Sequence, residues 1–234
     1  MEGLTEEEQM IVKTVRAFVD RDVKPVVQEL EHNNSYPEEL IEQMKQLGIF
    51  GLAIPEPWGD ASVSASCYAL VTEELSRGWM SLAGAMGGHT VVAKLLLDHG
   101  TEEQKNQYLP RMATGELRAT MALTEPGGGS DLQAMRTNAS RQGDEYVVNG
   151  SKMWISNARK SDLIALMCKT DRTPRRRTQE SASCWSRRAR GSPSRGTYRS
   201  SVTRESRVAR SHSTSSGSLR RPCSASNRAR GLPR

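Results

Sequence analysis

The chain has 234 residues, 36% hydrophobic and 5% aromatic, and its formal net charge of +6 conceals two unlike stretches. Residues 1–171 hold 16 Lys and Arg against 25 Asp and Glu, while residues 172–234 hold 17 Arg, no Lys and two acids. No uninterrupted apolar run approaches the roughly 18 residues of a membrane span, and the acidic lead MEGLTEEEQM lacks the basic start and apolar core of a secretory signal, so neither is expected.

In chain order, Thr5 followed by Glu8 has the form of a capping box, and Ile11, Val12, Val15, Phe18 and Val19 recur at helical spacing. A first helix is predicted from about Glu6 to the low twenties, with Pro25 kinking it or starting a second. Pro37, then Ile41, Met44 and Leu47 on one face and Gly48 at the end, predict a compact helix. IFGLAIPEPWG reads as an apolar connection and turn. Helices follow from about Ser64 to Arg77, stopped by Gly78, and from about Ser81 to His99, closed by Gly100. Thr101 with Gln104 forms a second capping box and opens a short helix to about Met112.

The period then changes. LRATMALT, EYVVNG, SKMWIS and LIALMCK are short runs bounded by turn residues, and Asn149-Gly150 is a type I′ hairpin signal between two of them. The fold class is therefore α+β: an N-terminal all-helical domain over residues 1–116, an incomplete antiparallel β domain over 117–171, and a tail over 172–234. That tail has 15 Ser and four Val or Leu, too little apolar surface to offset the entropy of ordering it. A disordered Arg/Ser-rich tail is expected, and with it a sheet whose edges and one apolar face lack partners.

The four cysteines are widely separated, with no zinc or disulfide spacing. Cys67 and Cys168 read as small buried apolar residues, and the expected compartment is the reducing cytoplasm. His89 and His99, in or at the end of a helix, read as structural.

The segment most informative about chemistry is Ala122-Leu123-Thr124-Glu125-Pro126-Gly127-Gly128-Gly129-Ser130-Asp131-Leu132-Gln133-Ala134, a strand end followed by a glycine-rich turn. Three successive glycines let backbone approach a ligand, and Thr124 and Ser130 supply hydroxyls. Such a loop suits a polar planar ring or a phosphate, or is simply a turn. It is neither a Walker loop nor G-x-G-x-x-G.

This segment resembles the signature of the acyl-CoA dehydrogenase family. IPEPWG, HGTEEQKNQYLPRMATGE and NGSKMWISNA are similar to further motifs of that family in the same order, and together they cover roughly residues 4–171. The resemblance implies FAD as cofactor, an acyl-CoA substrate desaturated between C2 and C3 with hydride passing to flavin N5, a role in fatty acid metabolism, and an electron-transfer flavoprotein or similar acceptor. It implies that Met121, Ala122, Leu123 and Thr124 pass beside the flavin ring, with Gly129 and Ser130 in the adjoining loop and Ser130 also touching the CoA arm. Trp154 would cover a flavin face, and Ile155 and Ser156 would lie by it, Ser156 bonding near N5 and O4. Glu125 and Asp131 are assigned to loop structure rather than to acid or base roles.

In this family the catalytic base is a glutamate of a C-terminal helical domain, and no residue of this sequence occupies that place. Residues 172–234 are read as matching no part of the family, and their composition is that of a GC-rich gene translated out of frame, so a frameshift just after Asp171 is expected. Relatives are homodimers or homotetramers built through the C-terminal domain; this chain is expected to hold FAD weakly, to be inactive and to expose apolar surface. Two alternatives are a non-catalytic FAD-binding fragment and non-specific nucleic-acid binding through the basic tail. Trp185 and Tyr198, the tail's only aromatics, provide no stacking platform for the latter.

Overall fold

A computed structural model describes residues 3–60, 62–142, 145–170, 181–187 and 206–208, in two units, residues 1–119 and 120–234. In the first unit the capping box forms as read: the Thr5 hydroxyl accepts from the Glu8 amide, and the Glu8 carboxylate accepts from the Thr5 amide. Helix α1 (Glu6–Phe18) buries Val12, Val15 and Phe18 and runs into a π-helical turn, Val19–Val23. A short α2 (Val27–His32) follows Pro25, and α3 (Glu38–Gln46) buries Leu40, Ile41 and Met44 before Gly48 turns the chain at a left-handed φ of 69°.

The long α4 (Ala65–His99) is two helical segments meeting at Trp79, whose φ of −159° and ψ of 114° are not helical. This is the break expected at Gly78, displaced by one residue. Gly78 has a packing reason as well, since a Cβ there would lie 2.7 Å from Val19 Cγ1 and 3.1 Å from Val23 Cγ1. The missing side chain lets α4 close on the π-helical turn. By length and composition alone α4 could cross a membrane, contrary to the expectation from uninterrupted runs. Its buried residues, Glu74 and His89 among them, place it instead as the core helix of this unit. Arg16 and Arg77 both donate to the Glu74 carboxylate, so its burial is compensated. Helix α5 (Glu102–Ala113) starts from the second capping box, Thr101 with Gln104.

His89 is a fully satisfied core residue, as read. Its Nε2 lies 3.1 Å from the Met112 carbonyl and its Nδ1 accepts the Ala119 amide at 3.2 Å, which fixes the neutral tautomer with the proton on Nε2. Burial pushes the imidazole down to about 4, against the pull of the Met112 carbonyl toward the charged form.

The second unit holds β1 (Ala119–Ala122, whose first residue closes the helical unit), β2 (Asn138–Gln142), β3 (Glu145–Asn149), β4 (Leu163–Lys169), β5 (Ser181–Arg187) and β6 (Ser206–Val208). They form one sheet in the order β1-β4-β2-β3-β6, with β5 also on β4. Ala122, Ala139, Val148, Leu166 and Cys168 make its small core. Cys67 and Cys168 are buried and in no disulfide, as expected; the Cys184 side chain and Cys223 lie outside the described residues.

Several expectations are corrected here. The sheet is mixed rather than antiparallel, because β2 and β4 pair in parallel at Asn138↔Lys169. SKMWIS is not a strand, and β3 ends at Asn149 without a hairpin. The hairpin is β2 with β3, from Asn138↔Asn149 to Gln142↔Glu145, and its first strand is too polar to show an alternating pattern. Ten tail residues are described on this sheet: β5 pairs with all of β4, from Leu163↔Arg187 to Lys169↔Ser181, and β6 pairs with β3. Ladders are made by backbone, so a Ser-rich segment can add to a ready edge without an apolar pattern of its own. The rest of the tail lies outside the described residues.

Two outcomes follow for the helical unit. Gly78→Ala should cost about 1 to 3 kcal/mol through overpacking against Val19, read from urea unfolding, and an unchanged midpoint would show that the approach is slack. His89 has a folded pKa of about 4 against an ordinary 6.5, so its contribution is intact above 6.5 and is lost as pH falls toward 4, up to ~3 kcal/mol. His89→Gln should flatten the stability profile across that window, and an equally steep profile in the variant would remove His89 as its cause.

Candidate functional site

The site candidates gather at the end of β1 because that strand leads straight into a tight turn. The Glu125 amide donates to the Gly128 carbonyl at 2.9 Å and the Gly128 amide returns to the Glu125 carbonyl at 3.1 Å, which folds Glu125–Gly128 into a closed loop. A Cβ on Gly127 or Gly128 would meet nothing within 4 Å, whereas one on Gly129 would lie 3.3 Å from Thr124 Cγ2. Gly129 thus backs onto the Thr124 side chain, and the tip of the turn stands open. Asp131 then accepts the amides of Gln133 and Ala134 and caps the short 3₁₀ turn Leu132–Ala134.

Beneath the turn lies Glu125. It is buried, and it accepts the Arg136 amide at 2.7 Å, the Thr137 amide at 2.9 Å and Lys152 Nζ at 2.9 Å. Burial alone would raise this carboxyl; hydrogen bonds from the Arg136–Thr137 corner and from Lys152 outweigh it and bring it down to about 2. The backbone amides carry the corner's share, since the Thr137 hydroxyl is buried without a hydrogen-bond partner among the described residues. Glu125 and Asp131 are thus both engaged in the structure of the loop.

Lys152 is the residue that the sequence reading passed over. Its side chain is 0% exposed, and Nζ donates to the Leu123 carbonyl at 2.8 Å as well as to Glu125. The signal was present as the lysine of NGSKMWISNA, but neighbours in sequence gave it no acidic partner. Its inward turn explains why SKMWIS is not a strand. The Met153 amide donates to the Thr124 carbonyl at 2.9 Å, and the Thr120 hydroxyl to the Ser156 carbonyl at 2.7 Å. Residues 152–156 are therefore laid along β1 and the start of the turn by separate contacts rather than by a ladder.

The sequence-predicted residues fall into two groups. Ala122 is buried in the sheet core and Ile155 packs against that core, so Ala122 offers a ligand only its backbone. Met121, Leu123 and Thr124 are half-buried, Gly129 is half-buried, and Ser130 and Ser156 are exposed. Trp154 is 80% exposed, with a left-handed φ of 59°. An indole so exposed, in a backbone region that bulky residues rarely adopt, is held outward by its surroundings rather than by preference. An open indole face, a hydroxyl at Thr124 and a glycine turn with free space at its tip fit a planar polar ring that stacks and hydrogen-bonds at its rim.

Two acyl-CoA dehydrogenase domains match the sequence, the N-terminal domain over residues 5–116 and the middle domain over residues 120–202. The second runs past Asp171, beyond the point where the resemblance was expected to stop. The (2S)-methylsuccinyl-CoA dehydrogenase of Cereibacter sphaeroides is 40% identical over 171 residues, 72% of this chain and 31% of that protein. Among solved structures, the acyl-CoA dehydrogenase of Geobacillus kaustophilus superposes with a TM-score of 0.73 at 32% identity, over 80% of this chain and 49% of that one. The Bacillus anthracis acyl-CoA dehydrogenase complexed with FAD gives 0.68 at 32%, over 80% and 31%. The chain spans between about a third and a half of the relatives it matches.

Acid should release this site later than the helical unit. The Glu125 contribution is present above an ordinary 4.5 and is lost as pH falls toward about 2. Hydrogen exchange at the Arg136 and Thr137 amides should therefore stay slow at pH 5 and accelerate only below about 4. Loss of protection already between 6.5 and 5 would place the control elsewhere.

Proposed function

Because this chain belongs to the acyl-CoA dehydrogenase family, we propose that its sheet unit holds FAD along Met121–Thr124, the turn to Ser130, and Trp154–Ser156. The observation that carries this reading is the backbone clamp from Met153 to Thr124, which sets a Trp154 that is 80% exposed beside a glycine turn with an open tip. The FAD complex of the Bacillus anthracis relative supports the choice of ring. When bound, FAD supplies a two-electron acceptor for hydride. Trp154 covers one face of the ring and excludes water there, the Thr124 hydroxyl and neighbouring amides bond its polar rim, and Ser156 completes the same edge. Ser130, exposed at the end of the turn, bonds the CoA arm of an acyl-CoA substrate. An electron-transfer flavoprotein is the proposed acceptor.

Proton abstraction from C2 of the acyl group needs a base that this edge does not provide. Glu125, held near 2 and engaged by three donors, is too weak a base, and Asp131 is committed to its cap. We therefore favour the alternative of a non-catalytic FAD-binding fragment over the expected weak hold on FAD: this chain binds flavin without turning over acyl-CoA.

The test is the visible spectrum of the purified chain after incubation with FAD and desalting. The two flavin bands should be retained, acyl-CoA should not bleach them, and Trp154→Ala should weaken FAD binding about tenfold, as expected for loss of ~1 to 2 kcal/mol of ring stacking. A colourless wild-type eluate would remove the flavin reading, and bleaching by acyl-CoA would remove the expectation of inactivity.

A further inference from the structure

The buried ion pair under the turn has more to do than support a core. A pair such as Lys152 with Glu125 gains little stability over apolar residues of the same size, because both charges must be stripped of water. What an apolar pair could not reproduce is direction. Lys152 Nζ donates at 2.8 Å to the carbonyl of Leu123 and at 2.9 Å to Glu125, the residues on either side of Thr124. From the other side, Glu125 takes the amides of Arg136 and Thr137. One ammonium group thus holds the peptide carbonyl before Thr124 and the side chain of the residue after it, and ties both to the start of the segment that carries Trp154 and Ser156. That segment has no ladder of its own; besides the packing of Ile155 on the sheet core, it is tied to β1 and the turn by single bonds from Met153 to Thr124 and from Thr120 to Ser156.

We propose that Lys152 is a positioning residue, which sets the register of residues 152–156 against β1 and so fixes where Thr124, Trp154 and Ser156 stand toward a bound ring. This rests on the flavin reading for the identity of the ring, but not for the mechanical role. Lys152, fully enclosed, touches neither substrate nor cofactor. It acts through the Leu123 carbonyl and the Glu125 carboxylate.

The experiment uses the full chain with Lys152→Met and with the double change Lys152→Met, Glu125→Gln. The single change leaves a buried carboxylate without its cation and is open to failure of folding. The double change leaves no unpaired buried charge, keeps one acceptor oxygen at the Arg136–Thr137 corner where the carboxylate has two, and still lacks the donor to Leu123. Two readouts are taken: hydrogen exchange at the Met153 amide relative to the amides of β4, and the FAD dissociation constant from flavin fluorescence.

In the double variant the Met153 amide should exchange at least tenfold faster while β4 is unchanged, and FAD should bind at least tenfold more weakly. Unchanged exchange at Met153, or acceleration shared equally by β4, overturns the proposal, since Lys152 would then be filling space or holding the whole unit. Faster exchange at Met153 with undiminished FAD affinity also overturns it. A wild-type chain that takes up no FAD removes the flavin reading alone, and the exchange result then decides whether Lys152 sets the register.

Discussion

The sheet unit depends on one buried carboxylate being fully engaged. Glu125 gathers two backbone amides from the Arg136–Thr137 corner and the ammonium of Lys152, so three separated stretches of chain meet at two oxygen atoms. Without these donors the carboxylate would carry an uncompensated desolvation penalty of several kcal/mol. With them it becomes the fixed point from which the glycine turn, the left-handed Trp154 and the exposed Ser130 and Ser156 are all set out. A turn with three glycines has little rigidity of its own, and the firmness needed to present a ligand-binding edge comes from below it.

The helical unit solves a different problem, that of directing a long core helix. Gly78 removes a side chain where α4 meets Val19 and Val23, and Trp79 leaves the helical region next to it. The Trp79 indole donates to Glu31 at 2.7 Å, so the change of direction is secured at the level of the side chain as well. His89, farther along the same helix, receives the Ala119 amide, and the unit closes on its own last residue. Buried titratable groups in both units, the neutral His89 and the ionised Glu74 in one and the ionised Glu125 in the other, are each matched to their donors and acceptors.

Much of the helical unit was legible because its signals are local. A capping box is written in four residues, and both of them, at Thr5 and at Thr101, form as read. Gly48 and Gly78 mark an end and a break because their reasons, a positive φ and a close neighbour, forbid a side chain. The sheet unit was less legible, since its determinants lie far apart in sequence. SKMWIS alternates like a strand, yet Lys152 turns inward to a carboxylate 27 residues earlier, and no window of sequence reveals that partner. β2, polar along its length, is a strand because β3 stands opposite, and β5 because β4 offers a full edge. At the site, the glycine turn and Trp154 were recognisable from sequence, whereas the ion pair beneath them required the fold.

The complete enclosure of Lys152 has a kinetic consequence. Amine-directed labelling reagents reach a lysine only when its nitrogen meets solvent, and this one, at 0% exposure, meets solvent only when its surroundings part. The exposed Lys94, with a side chain 68% accessible and a surface ion pair to Asp98, would react without any opening. The ratio of the two rates within a single chain would then report how often the floor of the turn opens, a clock built into the protein that needs neither ligand nor substitution to be read.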